Sequence, residues 1–263
     1  MAIFSDQLGH IVSLPHAPDR IVSLVPSQTE LLHYLGLQEE VVGITKFCIH
    51  PDEWFREKER VGGTKNVNIE KIKALQPDLI LANKEENEEA QIRELESFFP
   101  IWVSDICGYD DALKMIKAVG LMVNKEDRAN ELVAAIETGF QKLASENFQK
   151  VNVSYLIWKD PYMTIGRQTF INDMLQKGGF ANVFQDFLRY PQIDIEQLKE
   201  KKPDAVFLST EPYPFSQKHA DELQRQLTHT KVILVDGELF SWYGSRMLQM
   251  PKYLTSLRQQ LSL

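Results

Sequence analysis

The sequence predicts an α/β protein in which two α/β sandwich lobes with parallel sheets are joined by one long interlobe helix. Short apolar segments alternate with amphipathic segments along the chain, which is typical of parallel strands covered by helices. Two segments, beginning at Ile69 and Ile195, resemble each other closely. Between them, residues 124–149 carry apolar side chains at three- and four-residue spacing, which indicates a single long helix.

The repeated segments read IEKIKALQPDLILANKEE and IEQLKEKKPDAVFLSTEP. Each has Ile-Glu, a short helical stretch, Pro-Asp and then an apolar strand. Glu70 and Glu196 are separated by 126 positions, as are Glu85 and Glu211. The repeat therefore predicts an N-terminal lobe at residues 1–123, the interlobe helix at 124–149 and a C-terminal lobe at 150–263.

Helix-start signals refine this prediction. Asn124 is expected to be the N-cap of the interlobe helix, and Ser27 and Glu30 have the spacing of a capping box that opens the first helix. A charged helix is expected over residues 85–98. The remaining predicted strands and helices alternate through both lobes, and the chain begins with a hairpin over residues 4–14.

Composition excludes several classes of protein. A chain of 263 residues with 43% hydrophobic and 25% charged residues is long enough for two globular lobes. The formal charge of −8 argues against nucleic acid as the main partner. No apolar run reaches the roughly 18 residues that a membrane span requires. The first residues lack a secretory signal, so we expect a cytoplasmic protein or a mature form with a replaced start.

Ligands of open parallel sheets bind outside the carboxyl ends of the strands, and the loops predicted there are rich in aromatic and cationic side chains. The aromatic candidates are Phe47, Trp158, Tyr162, Tyr190, Trp242 and Tyr243, and the cationic candidates are Lys46, Lys65, Lys84, Arg167 and Arg189. Such a lining suits a large, partly flat ligand with anionic edges. The alternative is that several of these aromatic side chains only close the cores of the lobes.

Catalytic and metal-binding motifs are weak. Cys48 and His50 offer two metal ligands where a closed site needs about four. The run from Gly62 to Lys65 lacks the order of a phosphate-binding loop and predicts a tight turn. We therefore assign no catalytic residue, metal ligand or cofactor. Cys48 and Cys107 follow no disulfide pattern and are expected to be free thiols.

Glu70 and Glu196 begin the two repeated helices. One reading is compensation of the helix dipole, which favours a carboxylate in the first turn. The other is that two exposed carboxylates at matching positions dock onto a two-fold symmetric partner.

The segments RIVSLVPSQTE from Arg20, VGIT from Val42, the two repeated segments and the interlobe helix together resemble the helical-backbone substrate-binding proteins of ABC importers. The sequence is most similar to the cobalamin-binding members, and the ferric-siderophore and haem binders are more distant. The resemblance covers nearly the whole chain.

The resemblance implies that a ligand is held between the lobes and that Glu70 and Glu196 dock to arginines of a permease dimer. The positions that line the cobalamin cleft in the family correspond to Phe47, Thr64, Asn83, Trp158, Tyr162 and Tyr190. It also implies a location outside the cytoplasm. From it we expect a non-enzymatic monomer that captures a corrinoid, or else a ferric siderophore or haem.

Two other functions remain open at this point. A cytosolic enzyme or chaperone that handles corrinoids on the same scaffold would show turnover and a cytoplasmic location. A protein that captures free metal ions would depend on Cys48 and His50.

Overall fold

The computed structural model describes residues 2–146 and 148–261 and confirms the predicted α/β class. The chain divides into two compact units. The first comprises Met1–Asp105, Asp110–Ala135 and Tyr243–Arg246, and the second comprises Ile106–Tyr109, Ile136–Trp242 and Met247–Leu263. Two short segments, Ile106–Tyr109 and Tyr243–Arg246, thus belong to a different unit from the residues on either side of them, an arrangement that the sequence did not predict.

The first unit has a central parallel sheet in the order β5-β4-β3-β6-β7. Its strands are β3 (Ile21–Ser23), β4 (Val41–Ile44), β5 (Glu59–Arg60), β6 (Leu79–Asn83) and β7 (Ile101–Ser104). Its helices are α1 (Pro26–Tyr34), α2 (Asp52–Glu57), α3 (Ile69–Leu75), α4 (Glu89–Glu96) and α5 (Tyr109–Met122). The predicted hairpin is present as β1 (Ala2–Ser5) paired antiparallel with β2 (Ile11–Leu14).

The second unit contains a six-stranded sheet in which β11-β9-β8-β12-β13 are neighbours and β10 also pairs with β8. Its strands are β8 (Val151–Trp158), β9 (Tyr162–Thr164), β10 (Phe180–Asn182), β11 (Gln192–Ile193), β12 (Ala205–Ser209) and β13 (Lys231–Val235). Its helices are α7 (Phe170–Lys177), α8 (Ile195–Lys201), α9 (Gln217–Gln226), α10 (Gly237–Ser241) and α11 (Met250–Leu261), the last preceded by a 3-10 turn at Ser245–Leu248.

Pairing is parallel for β8, β10, β12 and β13, whereas β9 and β11 form an antiparallel edge. The strand β9 runs antiparallel because a short turn, Lys159–Pro161, connects it directly to β8. A parallel neighbour would need a crossover connection of a dozen or more residues.

The repeat is exact in the structure. The helices α3 and α8 and the strands β6 and β12 begin and end at positions 126 residues apart. Each helix has an N-cap side chain, Asn68 in one unit and Asp194 in the other, that accepts a hydrogen bond from the backbone N–H group three residues further along the chain. Each helix also ends at a left-handed residue, Gln76 or Lys202. Pro-Asp then follows, so both helices stop at the same place relative to the next strand.

The long helix α6 spans Glu126–Ala144, and the division between the units falls inside it, after Ala135. It is shorter than the predicted 124–149, and Asn147 lies outside the described residues. Asn124 is not its N-cap. Its φ of 55° makes it the left-handed residue that ends α5, where Lys125 donates to the carbonyl of Gly120 and Asn124 donates to that of Leu121. This is a Schellman motif, in which Asn sometimes takes the place of the usual Gly.

Two other predicted helix starts are wrong. Helix α1 begins at Pro26 with Val25 as N-cap and no capping side chain, because Pro favours the first helical position and places Ser27 inside the helix. Helix α4 begins at Glu89 instead of residue 85. The Asn83 side chain accepts hydrogen bonds from the backbone of Glu85 and Glu86, which holds that stretch in a turn.

Each unit has its own apolar core between sheet and helices. In the first unit the core includes Val22, Ile72 and Ile80, and in the second it includes Leu156 and Val206, all fully buried. Burying side chains of this size contributes about 1.5–3 kcal/mol each. Among the helices within residues 2–146 and 148–261, none is both long enough and apolar enough to cross a membrane.

Candidate functional site

At the carboxyl edge of the first sheet, the loop after β4 presents an aromatic ring and a cation to solvent. Phe47 is 50% exposed, and the ammonium of Lys46 lies 5.1 Å from the centroid of its ring. Cys48 anchors the loop, since its buried Sγ lies 3.1 Å from Thr29 Oγ1 and 3.2 Å from Thr45 Oγ1. The buried thiol fixes the base of the loop, so Phe47 is held outward.

The loop at residues 62–66 is a tight turn, as predicted. Gly62 has a φ of +107°, and a Cβ there would lie 2.5 Å from the carbonyl oxygen of Asn66, so a larger residue would not fit. Asn87 donates to the carbonyl of Thr64 at 3.0 Å, and Lys65 Nζ donates to that of Glu85 at 2.6 Å. Two neighbouring loops are thereby fastened together, with Thr64 and Lys65 at their junction.

The other first-unit candidates have different environments. Lys84 is exposed and pairs with Asp105 at 2.6 Å. Asn83 is 3% exposed, and both ends of its amide are hydrogen-bonded, to the turn after β6 and to Ser104. The hydrogen bonds of this turn account for the burial and orientation of the Asn83 side chain without any ligand contact. Its contact with a ligand, implied only by the family resemblance, is not favoured by this geometry.

Tyr243 is likewise buried, at 6% exposure, although its loop position suggested a ligand-binding ring. Its hydroxyl lies 3.4 Å from Glu86 Oε1, and burial raises its pKa well above the ordinary value of 10.0. Close by, Arg246 makes a two-point ion pair with Glu30 at 2.7 and 3.0 Å. Tyr243 therefore belongs to the interior of the first unit. It fits the alternative that some of the aromatic candidates only close the cores of the lobes.

At the carboxyl edge of the second sheet, Trp158 ends β8 and is 40% exposed. Its ring meets that of Tyr213 edge to face at a centroid distance of 5.5 Å. Tyr213 also packs against Phe215 and His219. Tyr162 lies at the start of β9, where burial raises its pKa above the usual value. An aromatic surface therefore covers this edge.

A partly exposed ion pair lies beside that surface. Lys159 Nζ lies 2.7 Å from Glu222, with the lysine side chain 15% exposed. The hydrogen bond to Glu222 raises the pKa of Lys159 and lowers that of Glu222. Lys159 and Tyr213 were missed from the sequence. The signal for Tyr213 was an aromatic residue between two prolines immediately after a repeated strand.

Arg167, Arg189 and Tyr190 form a second group beyond β9. Arg167 and Leu188 form an isolated parallel β-bridge, and the backbone N–H of Gly166 donates to the carbonyl of Arg189 at 2.7 Å. The guanidinium of Arg167 donates to the carbonyl of Asp186, and that of Arg189 to the carbonyl of Gln168, each at 3.0 Å. Main-chain acceptors thus hold two guanidinium groups in place, and that of Arg189 lies 5.9 Å from the centroid of the partly buried Tyr190 ring.

Trp242 is 6% exposed, contrary to the expectation of a ring presented by a loop. Its Nε1 donates to Glu211 Oε1 at 3.0 Å, and Ser241 Oγ donates to the same oxygen. Burial raises the pKa of Glu211, while these two hydrogen bonds lower it. As with Tyr243, packing in its unit explains the position of this ring.

Cys48 and Cys107 form no disulfide. Burial raises the pKa of the Cys48 thiol to about 11, so the metal-binding thiolate is disfavoured. In the described part of the chain, the group of three possible metal ligands that lie close together is His16, Asp19 and Asp78. Asp78 uses both carboxylate oxygens for the backbone N–H groups of Asp19 and Arg20, so its role there is structural.

Glu70 and Glu196 occupy the first turns of α3 and α8, and their side chains are 83% and 70% exposed. Neither side chain is buried in a core, and neither caps its helix, since Asn68 and Asp194 are the N-caps. Both carboxylates are therefore accessible on the surfaces of their units.

Comparison with known proteins identifies this architecture. Residues 21–232 match the model of the periplasmic binding protein family, and the chain belongs to that family. It is 30% identical over 203 residues to a vitamin B12-binding protein of Vibrio vulnificus strain YJ016, covering 75% of this chain and 74% of the relative. It is 29% identical over 257 residues to an uncharacterized ABC transporter substrate-binding lipoprotein, YvrC, of Bacillus subtilis, covering 93% and 81%.

Solved structures share the fold. The periplasmic vitamin B12-binding protein BtuF of Vibrio cholerae aligns with a TM-score of 0.78 at 22% identity, over 94% of this chain and 99% of that one. The periplasmic haem-binding protein BhuT, solved with two haems, aligns with a TM-score of 0.80 at 21% identity, over 92% and 97%. The family resemblance inferred from the sequence is thus confirmed, and the chain is a substrate-binding protein by family.

Proposed function

We propose that this protein captures a metal-organic complex for an ABC importer, with a corrinoid as the first candidate and a ferric siderophore or haem as the second. One observation carries the choice of ligand class. The carboxyl edges of both sheets present exposed aromatic side chains: Phe47 in one unit, with the ammonium of Lys46 5.1 Å from its ring centroid, and Trp158 in the other. A flat macrocycle with polar or anionic edges has the complementary chemistry.

The relatives support the same class of ligand. Several carry the name vitamin B12-binding protein, and structures that share the fold are named for vitamin B12 or haem. Phe47, Trp158, Tyr162 and Tyr190 are the aromatic side chains that we assign to the ligand, and Thr64 the small polar one. Cationic contacts are assigned to Lys46, Lys65, Lys84, Arg167 and Arg189.

The partner that we propose is a permease dimer, docked through Glu70 and Glu196. Two exposed carboxylates at equivalent positions of a repeated helix suit a partner whose two subunits present equivalent cations. The protein acts as a monomer outside the cytoplasm, in line with relatives named as periplasmic or lipoprotein. No residue is assigned to catalysis, which sets this function apart from a corrinoid-handling enzyme.

An absorbance-monitored titration tests the ligand class. The purified protein is titrated separately with cobalamin, cobinamide, haem and a panel of ferric siderophores. We expect saturable binding of one ligand per chain for at least one of these complexes, without chemical conversion of the ligand. Chemical conversion of the ligand would favour the corrinoid-handling enzyme. If the protein bound none of these complexes, the proposal would be rejected.

A further inference from the structure

Each of the two docking acids already has a cationic partner on its own helix. Lys73 Nζ lies 3.1 Å from Glu70 Oε1, and Lys199 Nζ lies 2.8 Å from Glu196 Oε1. Both lysines follow their acid by three positions, which places acid and lysine on the same helix face. The pairing is therefore a shared property of the two units, repeated along with the helices themselves.

The two partners of each pair differ in exposure. The lysine side chains are 30% and 40% exposed, against 83% and 70% for Glu70 and Glu196. Lys73 is further held by the ring of Phe98, whose centroid lies 4.2 Å from its ammonium. In both pairs the carboxylate is thus more exposed to solvent than the lysine, and at Lys73 the cation is also held by a second contact.

We propose that Lys73 and Lys199 form ion pairs with the docking acids in the free protein and that cations of the permease displace them. This inference rests on the proposed docking role of Glu70 and Glu196. A guanidinium binds both oxygens of a carboxylate in a planar fork, whereas an ammonium acts as a single point charge. An arginine of the partner therefore displaces the resident lysine more effectively than a lysine does.

The exchange has a consequence for release. Because each docking contact replaces an existing pair, its net contribution is smaller than that of a contact to an unpaired carboxylate. Docking is weakened at both sites, and the emptied protein regains its internal pairs when it leaves. Removing the resident lysine eliminates this competition and also makes the surface more acidic, so both effects predict tighter docking.

The test uses Lys73→Met, Lys199→Met and the double variant, because methionine keeps an unbranched apolar stem against Phe98. Binding of fluorescently labelled protein to right-side-out membrane vesicles of the native host is titrated at low and moderate ionic strength. We expect docking to tighten about threefold for each substitution and about tenfold for the double variant. Lys73→Gln and Lys199→Gln provide a second pair should a methionine variant fold poorly.

Matched controls come from the same helices. Lys71 pairs with Glu59, and Lys201 lies over the ring of Phe184, so neither holds a docking acid. Lys71→Met and Lys201→Met remove the same charge and should tighten docking much less. Equal tightening by the controls would show that the effect comes from net charge alone and would overturn the proposal. Unchanged or weaker docking of the Lys73 and Lys199 variants would overturn it as well.

Glu70→Gln and Glu196→Gln separate this inference from the proposed function. If these changes abolish docking while the lysine variants have no effect, the acids dock to the permease but the lysines do not compete with it for them. If the glutamine variants dock like wild type, the docking role itself fails.

Discussion

The indole Nε1 of Trp242 donates a 3.0 Å hydrogen bond to Oε1 of Glu211, at the carboxyl end of the second repeated strand. Burial is the largest influence on the pKa of this carboxyl and raises it above the ordinary value of 4.5, while hydrogen bonds from Ser241 and Trp242 act in the opposite direction. A residue that first appeared to be a ligand-binding aromatic is thus fixed by a titratable partner in its own unit.

This relationship predicts a pH-dependent stability. Because the pKa of Glu211 is higher in the folded than in the unfolded chain, its contribution to folding is complete at acidic pH and is lost as the pH rises through the folded-state pKa. The stability of wild type relative to Glu211→Gln should therefore fall as the pH rises above the ordinary carboxyl pKa of 4.5 and through the raised folded-state pKa. Denaturant unfolding followed by tryptophan fluorescence measures the difference.

A second variant at this position tests the hydrogen bonds themselves. Glu211→Ala removes an acceptor from both Trp242 and Ser241 and should lower the free energy of unfolding by about 1–3 kcal/mol. A pH-independent difference between wild type and Glu211→Gln would show that Glu211 titrates alike in the folded and unfolded chains.

Trp158 provides a prediction about the ligand. Its ring is partly exposed and oriented by Tyr213, so Trp158→Ala should weaken binding of the preferred metal-organic complex about tenfold or more. Absorbance titration measures the affinity. Phe98→Ala is the control, because Phe98 is an exposed aromatic residue beside Lys73, 55% exposed against 40% for Trp158, and it should leave ligand affinity unchanged. Equal losses in both variants would argue against a specific role for Trp158.

The two cysteines should differ sharply in reactivity. Cys48 is fully buried, and burial raises its pKa to about 11, whereas Cys107 is partly exposed. An aromatic disulfide reagent at about pH 8 should label Cys107 in the native protein and reach Cys48 only after unfolding. Single variants Cys48→Ala and Cys107→Ala assign the two reactions. Rapid labelling of native Cys48, blocked by Zn²⁺, would instead revive the free-metal alternative.

Local signals in the sequence were sufficient for much of the fold. The repeated helix begins at Ile69 and Ile195, where the repeated segments were predicted to begin, because Asn68 or Asp194 caps it, and Pro-Asp follows its end in both copies. Ser27 and Asn124 were assigned wrongly since both are good N-cap residues. Pro26 competed at the first position, and Asn124 served the preceding helix as its left-handed terminator.

The site was less predictable, because exposure is decided by packing that spacing does not reveal. Phe47 and Trp158 are exposed as expected, yet Trp242 and Tyr243 look the same in the sequence and are buried. Asn83 forms a turn through hydrogen bonds to residues immediately after it, and this alternative was visible in its position after a strand. The Lys159–Glu222 pair links residues too far apart in the chain for any spacing rule.

The central claim is that the protein binds a complex and delivers it to a permease. The most direct measurement is ATP-dependent uptake of the radiolabelled complex by right-side-out vesicles of the native host, supplied by wild type or by the Glu70→Gln/Glu196→Gln double variant. We predict equal ligand affinity for both proteins, with uptake supported by wild type and lost in the double variant. Equal uptake with both proteins would contradict the account.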